Sequence, residues 1–291
     1  MQYTLSSWRD LGNTVSLCEQ SVFLIDSGGD KPCLVIVHGY PTSSWDFNRQ
    51  WDALTARFRV ITLDLLGLGF SAKPFPHPYS ILEQADLVEA ALAHCKAPPC
   101  HVLAHDYGDT VAQEMLARDG ERQQPQYLSA TLLNGGLFPE THYARPMQKL
   151  MAGPLGPFLV KLTTRGKLLK TFCSVFGAHS QPTPEELEAV WQLVNHNQGL
   201  RCLPPLLGYI RERREHRERW VGALINSRIP LALINGGADP VSGAHMVNRF
   251  RELVGTQHYI HEMPAIGHYP QMEAPEETLQ AFMGFIDTLQ N

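Results

Sequence analysis

Three residues carry the chemistry that this sequence suggests: Asp106, Asp239 and His268. Asp106 sits at the centre of Val102-Leu103-Ala104-His105-Asp106-Tyr107-Gly108-Asp109-Thr110-Val111-Ala112, which reads as an apolar strand, an abrupt turn and a helix. Ala104 and Gly108, two residues to either side, are small enough for a turn that pushes the central side chain outward. The familiar form of such an elbow is G-x-S-x-G, and no G-x-S-x-G occurs in this chain. An aspartate in the serine's place is still a nucleophile, and its attack on an sp³ carbon would leave an ester on the protein. Read alone, Asp106 is also a good N-cap for the helix that follows. Asp239 closes Gly236-Gly237-Ala238-Asp239-Pro240, and His268 follows Gly267. Singly, these are a turn residue and a polar loop residue. Together, each at the end of an expected strand, they supply a nucleophile, an orienting acid and a base, in that chain order.

The elements that must position them alternate. Strands are expected at Ser21 to Asp26, Cys33 to Val37, Val60 to Leu63, the elbow strand, Leu128 to Leu133, Pro230 to Ile234 and Gln257 to Glu262. Helices are expected from Ser43 or Ser44 through Phe58, over Ile81 to His94, Gly108 to Arg118, and Pro275 to Leu289. This alternation predicts an α/β fold whose mostly parallel central sheet carries helices on both faces. The alternation stops after Gly136. From 137 to 226 the chain reads as helical, interrupted by proline and glycine, with no strand. The expected division is therefore a core of residues 1–136 and 227–291, with a helical cap of 137–226 over the carboxyl edge of the sheet, where such sheets bind ligands. Arg211 to Trp220 holds five arginines and three glutamates, several at i,i+4 spacing, and reads as a solvated, salt-bridged helix face.

Composition bounds the partners. Hydrophobic residues make up 44% and charged residues 18% of the 291, as in ordinary globular proteins. A net charge of −5 gives no reason to expect nucleic acid or an anionic membrane. No apolar run reaches the roughly 18 residues of a membrane span, and Met1 to Gly12 lacks the pattern of a secretory signal. The six cysteines form no C-x-x-C pair and are read as reduced thiols of a cytoplasmic protein. The 13 histidines show no metal-ligand spacing, so no metal and no cofactor are expected.

Four motifs carry a resemblance. They are His38-Gly39-Tyr40-Pro41, Asp64 to Ser71 with the following Lys73-Pro74, His105 to Gly108, and Gly267-His268. Together they resemble the epoxide hydrolase and haloalkane dehalogenase branch of the α/β-hydrolase superfamily, from about Val35 to the end of the core. The elbow, the stretch Asn134 to His142, Arg217 to Leu224 and Gly267 to Gln271 are also similar to the mesoderm-specific transcript family. The resemblance implies an α/β-hydrolase fold, an aspartate nucleophile and a covalent alkyl-enzyme. The expected partners are a small hydrophobic electrophile and water. Asp106 attacks carbon, and His268, oriented by Asp239, activates the water that clears the ester. The backbone N–H groups of Tyr40 and Tyr107 are placed to receive the oxyanion, with a cis Tyr40-Pro41 peptide implied. His105 is read as packing or hydrogen bonding. Opening an epoxide needs an acid, and the resemblance implies a cap tyrosine, Tyr209 first and Tyr143 second. Dehalogenases of this branch use Trp after the nucleophile and Asn after His-Gly, or a cap Trp; the first two places here hold Tyr107 and Tyr40. The alternatives are a dehalogenase or other carbon–heteroatom hydrolase, and an inactive fold that binds a hydrophobic ligand or a protein.

Overall fold

A computed structural model describes residues 3–141, 143, 146–153 and 155–290. Eight strands are present: β1 (Asn13–Leu17), β2 (Gln20–Asp26), β3 (Cys33–Val37), β4 (Arg59–Leu63), β5 (Cys100–His105), β6 (Tyr127–Leu133), β7 (Leu231–Gly236) and β8 (Tyr259–Met263). They form one sheet in the order β1-β2-β4-β3-β5-β6-β7-β8. β1 pairs antiparallel with β2, and β2 antiparallel with β4. Every later neighbour is parallel. The chain thus has the mostly parallel α/β sheet that its alternation implies. All five residues of β3 and all six of β7 are buried. The apolar runs Cys33 to Val37 and Leu231 to Ile234 suit strands covered on both faces.

The first strand has no counterpart in the sequence reading. β1 is largely exposed and buries only Leu17, so it lacks an apolar signature. Its hairpin turn is Cys18-Glu19, with both residues at positive φ (47° and 63°). That is the conformation for which Asn-Gly is the usual signal. The single helix expected up to Phe58 is instead a 3-10 turn, Ser44–Phe47, followed by a helix over Trp51–Arg57. Asp64 accepts hydrogen bonds from both the backbone N–H and the hydroxyl of Ser44, which ties the start of that turn to the loop after β4.

Between β6 and β7 the described residues contain helices and no strand, from Pro146–Met151 to Arg217–Ile225. The charged run is not the solvated face its composition suggests. Arg211 does pair with Glu215 at the surface. Arg213, however, is buried, and Arg219 leaves its own helix to reach Glu114 and Glu121 on the core helix Tyr107–Glu121. Glu212 accepts the N–H of Ile81 at the start of the core helix Ile81–His94. The run is a seam between the segment that links β6 to β7, called the insert below, and the helices Tyr107–Glu121 and Ile81–His94. Its i,i+4 pattern conceals this because three- and four-residue spacings describe one helix and not what packs against it.

Candidate active site

β5 lies beside β3 in the sheet, so the loop after β3 and the turn after β5 meet at the carboxyl edge. Two glycines let them approach. A Cβ on Gly39 would stand 2.6 Å from His105 Nδ1 and 2.9 Å from Asp106 Cβ. One on Gly108 would stand 2.3 Å from the Val37 carbonyl oxygen, so the elbow helix packs against β3 only with glycine there. Between them Asp106 is held at φ 51°, ψ −107°. Such a conformation costs a non-glycine residue about 1–3 kcal/mol and persists where its surroundings enforce it. Although Asp106 occupies the N-cap position, its side chain makes no capping bond. Its Oδ2 accepts the Tyr40 N–H at 3.1 Å. Its Oδ1 lies 3.6 Å from His268 Nε2. The Tyr40-Pro41 peptide is cis. Tyr107, the other expected donor, is the first residue of the elbow helix.

His268 sits between two carboxylates. Its Nδ1–H donates to Asp239 Oδ2 at 2.7 Å while Nε2 faces Asp106. Burial disfavours the imidazolium, but the charges of Asp239 and Asp106, with the hydrogen bond to Asp239, outweigh it and raise its pKa well above the usual range. For Asp106, burial pushes upward, and the neighbouring His268, with a smaller contribution from Arg213, holds the carboxyl below its usual range. Asp239 shows the same balance against His268. Asp239 also accepts the Val241 N–H at 2.7 Å and the Asn134 amide at 3.0 Å, which fixes its orientation. The structure thus brings Asp106, His268 and Asp239 into one line.

Buried His105 makes its contact as a donor: its Nε2–H bonds the His268 backbone carbonyl at 2.8 Å. Burial is the largest cause pushing its pKa down to about 4, so the ring stays neutral. The histidine loop is pinned from the insert as well, by the His268 N–H to the Val175 carbonyl at 2.9 Å. Glu273 accepts the N–H groups of Gly177, Gly267 and Tyr269 and so joins the same two segments.

Asp106, His268 and Tyr40 border a cavity of about 280 Å³ whose other walls are mainly apolar, among them Met151, Phe172, Leu203 and Leu207. The two expected acids are placed differently. Tyr143 is 57% exposed and stacks on His245, with ring centroids 4.3 Å apart. It is not among the residues bordering the cavity, so its candidacy as an acid is withdrawn. Tyr209 is buried beside the site, its ring edge-on to Tyr107 at 5.2 Å and beneath the Arg213 guanidinium at 4.4 Å. Burial and the nearby Asp106 charge raise its pKa, but Tyr209 does not itself border the cavity. Tyr269, which the sequence reading passed over, does, and its hydroxyl donates to the Tyr40 carbonyl at 3.0 Å. Its place directly after His268 was the available signal. Arg213 was also missed. It donates to the Thr110 hydroxyl at 2.8 Å and to the Asp106 carbonyl at 3.3 Å. The residue noted as His142 lies outside the described residues. Among the described residues no group of three His, Cys, Asp or Glu could hold a metal ion.

A mostly parallel sheet with a charged elbow at its carboxyl edge places the chain in a known class. The model of the alpha/beta hydrolase family matches residues 34–281, and the chain belongs to that family. It is 40% identical over 295 residues to the mesoderm-specific transcript protein of Mus musculus, covering 98% of this chain and 88% of that one. It is 39% identical over 284 residues to LipZ of Mycobacterium tuberculosis (strain ATCC 25618 / H37Rv), which bears a hydrolase's name, covering 97% and 98% of the two chains. Among solved structures it is similar to a loop variant of the haloalkane dehalogenase DbeA from Bradyrhizobium elkanii, with a TM-score of 0.80 and 18% identity over 96% of this chain and 97% of that one. At that identity the likeness concerns the fold alone.

Proposed function

We propose that the protein is a cofactor-free hydrolase that works through a covalent ester on Asp106, with epoxide-like electrophiles as its substrates. The observation that carries the reading is the Asp106 carboxylate, held on a strained elbow at the cavity wall with an N–H on one oxygen and an imidazole near the other. Asp106 Oδ1 attacks an sp³ carbon, the C–O bond of the epoxide breaks, and the oxygen leaves as an alkoxide that takes up a proton. Water then adds to the Asp106 carbonyl carbon. His268 accepts its proton, Asp239 holds the imidazole, and the Tyr40 N–H, with that of Tyr107, stabilises the oxyanion. Collapse releases the diol and restores the carboxylate. Residues 137–226 act as a cap that supplies much of the cavity wall.

The proton for the alkoxide is assigned to the Tyr40 hydroxyl. Tyr40 borders the cavity, and its hydroxyl makes no hydrogen bond among the described residues. Burial raises the pKa of this phenol, so it stays protonated. Tyr209 stands behind it as the second candidate. No Trp or Asn is among the residues that border the cavity, so the halide-binding donors of a dehalogenase have no counterpart there.

The test is intact-mass measurement after mixing with a panel of small epoxides, haloalkanes and aryl esters. His268→Gln should gain one substrate mass and keep it, while Asp106→Ala should show neither adduct nor turnover. In a single turnover of the wild type in heavy-oxygen water, the label should enter Asp106 and not the product. A labelled product, with no adduct in His268→Gln, would sink the covalent route.

A further inference from the structure

The net charge of −5 conceals an uneven distribution. From Thr141 to Pro184 the sequence holds six Lys or Arg and not one Asp or Glu, so all 29 acidic residues lie elsewhere. The same stretch contributes exposed large apolar side chains: Phe158 is 63% exposed, Leu155 58%, Leu162 53% and Leu150 45%. The helix Gly156–Leu159 continues directly as the 3-10 turn Val160–Leu162. Leu155, Phe158 and Leu162, spaced by three and four residues, therefore share a face. Lys161, Lys167 and Lys170 are exposed and form no ion pair among the described residues, whereas Arg165 is matched by Glu188. Leu159, Leu162 and Lys167 also border the cavity. The apolar face and the unmatched lysines thus reach the cavity wall at Leu162 and Lys167.

We propose that this surface docks on an anionic lipid layer. Leu155, Phe158 and Leu162 enter the boundary between headgroups and acyl chains, the lysines meet the lipid phosphates, and the cavity opens towards the lipid. Amphipathic elements with lysines around an apolar face bind interfaces in this way, through buried apolar area and attraction to anionic headgroups together. Charge selects the occupant. A second copy of the chain would bring the same unmatched lysines against these, and like charges facing each other oppose association. Docking does not depend on whether Asp106 is a nucleophile.

The test is co-sedimentation of the full chain with vesicles of phosphatidylcholine alone or with about one-third phosphatidylserine. The wild type should sediment with the phosphatidylserine vesicles and be released by salt. Lys161→Gln with Lys170→Gln should weaken binding about thirtyfold, since each lysine near such a surface contributes about fivefold. Leu155→Ser with Phe158→Ser should weaken it at least tenfold, with circular dichroism confirming that both double variants stay folded. His268→Gln should bind as the wild type does, which keeps this result separate from the fate of the hydrolase reading. Failure to bind phosphatidylserine vesicles, or wild-type binding by either double variant, would overturn the proposal. So would a dimer in analytical ultracentrifugation that Leu155→Ser with Phe158→Ser dissolves, because the apolar face would then belong to a second copy.

Discussion

The proposed alkylation of Asp106 would change more than one residue. While Asp106 is charged, His268 stands between two carboxylates and holds its proton tightly. An ester at Asp106 removes one of those charges. The imidazole keeps Asp239 at 2.7 Å as its orienting partner but loses the attraction on the side where water must approach. The first half-reaction would thus convert His268 from the partner of an ion pair into a base, with no movement of the backbone. The proposed acid is tested at the same scale. Tyr40→Phe keeps the backbone N–H bonded to Asp106 and removes only the hydroxyl. Adduct formation with an epoxide should slow by about 10²–10⁴, the usual contribution of a positioned acid. Clearance of a preformed ester should keep its rate. Tyr209→Phe should leave adduct formation within a few-fold of the wild type. A rapid-quench measurement that finds the reverse order would return the acid's role to Tyr209.

Among the elements, the helix Tyr209–Glu215 is the one whose meaning differs most between sequence and structure. Arg213 crosses from it to the elbow, bonds Thr110 and the Asp106 carbonyl, and adds to the charge that keeps Asp106 ionised. We assign it as a positioning residue. Arg213→Met keeps much of the apolar stem and removes the charge, so the Asp106 pKa should rise. In the proposed mechanism Asp106 attacks as the carboxylate, so the acid limb of the pH profile for adduct formation should move to higher pH. Arg213→Lys keeps the charge and should show only a fraction of the shift; an unmoved limb in Arg213→Met would reduce Arg213 to a packing role. The sequence shows Arg213 only as one cation in a salt-bridged run, because no local pattern records that a helix face is covered by another segment. Buried strands were legible for the opposite reason. Cys33 to Val37 matches β3 end to end since continuous β-branched runs have few other uses. β1 was not legible, as its one buried side chain and its Cys18-Glu19 turn leave neither an apolar run nor a turn signature. Asp106, Asp239 and His268 stood out through chain order and strand ends. Asn134, Glu273 and Tyr269 hold the same site through contacts that only the folded chain creates.

At the scale of the whole molecule, the insert meets the rest of the chain at buried charges, and Glu114 is placed to fasten it. Glu114, on the elbow helix and almost fully buried, receives Arg118 at 2.8 Å, Arg219 at 2.7 Å and the Trp220 indole at 2.8 Å. Arg219 and Trp220 belong to the last helix of the insert, Arg217–Ile225, which packs along the elbow helix. Burial pushes the Glu114 carboxyl upward, and Arg219, Arg118 and Trp220 together hold it below its usual range. A depressed carboxylate contributes stability above its unfolded pKa and loses it as pH falls through the folded one. Glu114→Gln removes the charge and keeps the shape; Arg118 and Arg219 each lose their buried partner and keep the more exposed Asp86 and Glu121. The expected cost at neutral pH is about 2 kcal/mol, discounted from a fully buried pair because both arginines are partly exposed. Amide hydrogen exchange reads this locally. The amides of Arg217–Ile225 should exchange about thirtyfold faster in Glu114→Gln at neutral pH. Those of β3, in the centre of the sheet, should hold their protection unless the whole chain opens. The gap between variant and wild type should narrow in acid, where the wild-type carboxylate is itself protonated. Equal acceleration of β3 and Arg217–Ile225 would mean that insert and core open as one unit, and that Glu114 stabilises the molecule as a whole instead of fastening the insert to it.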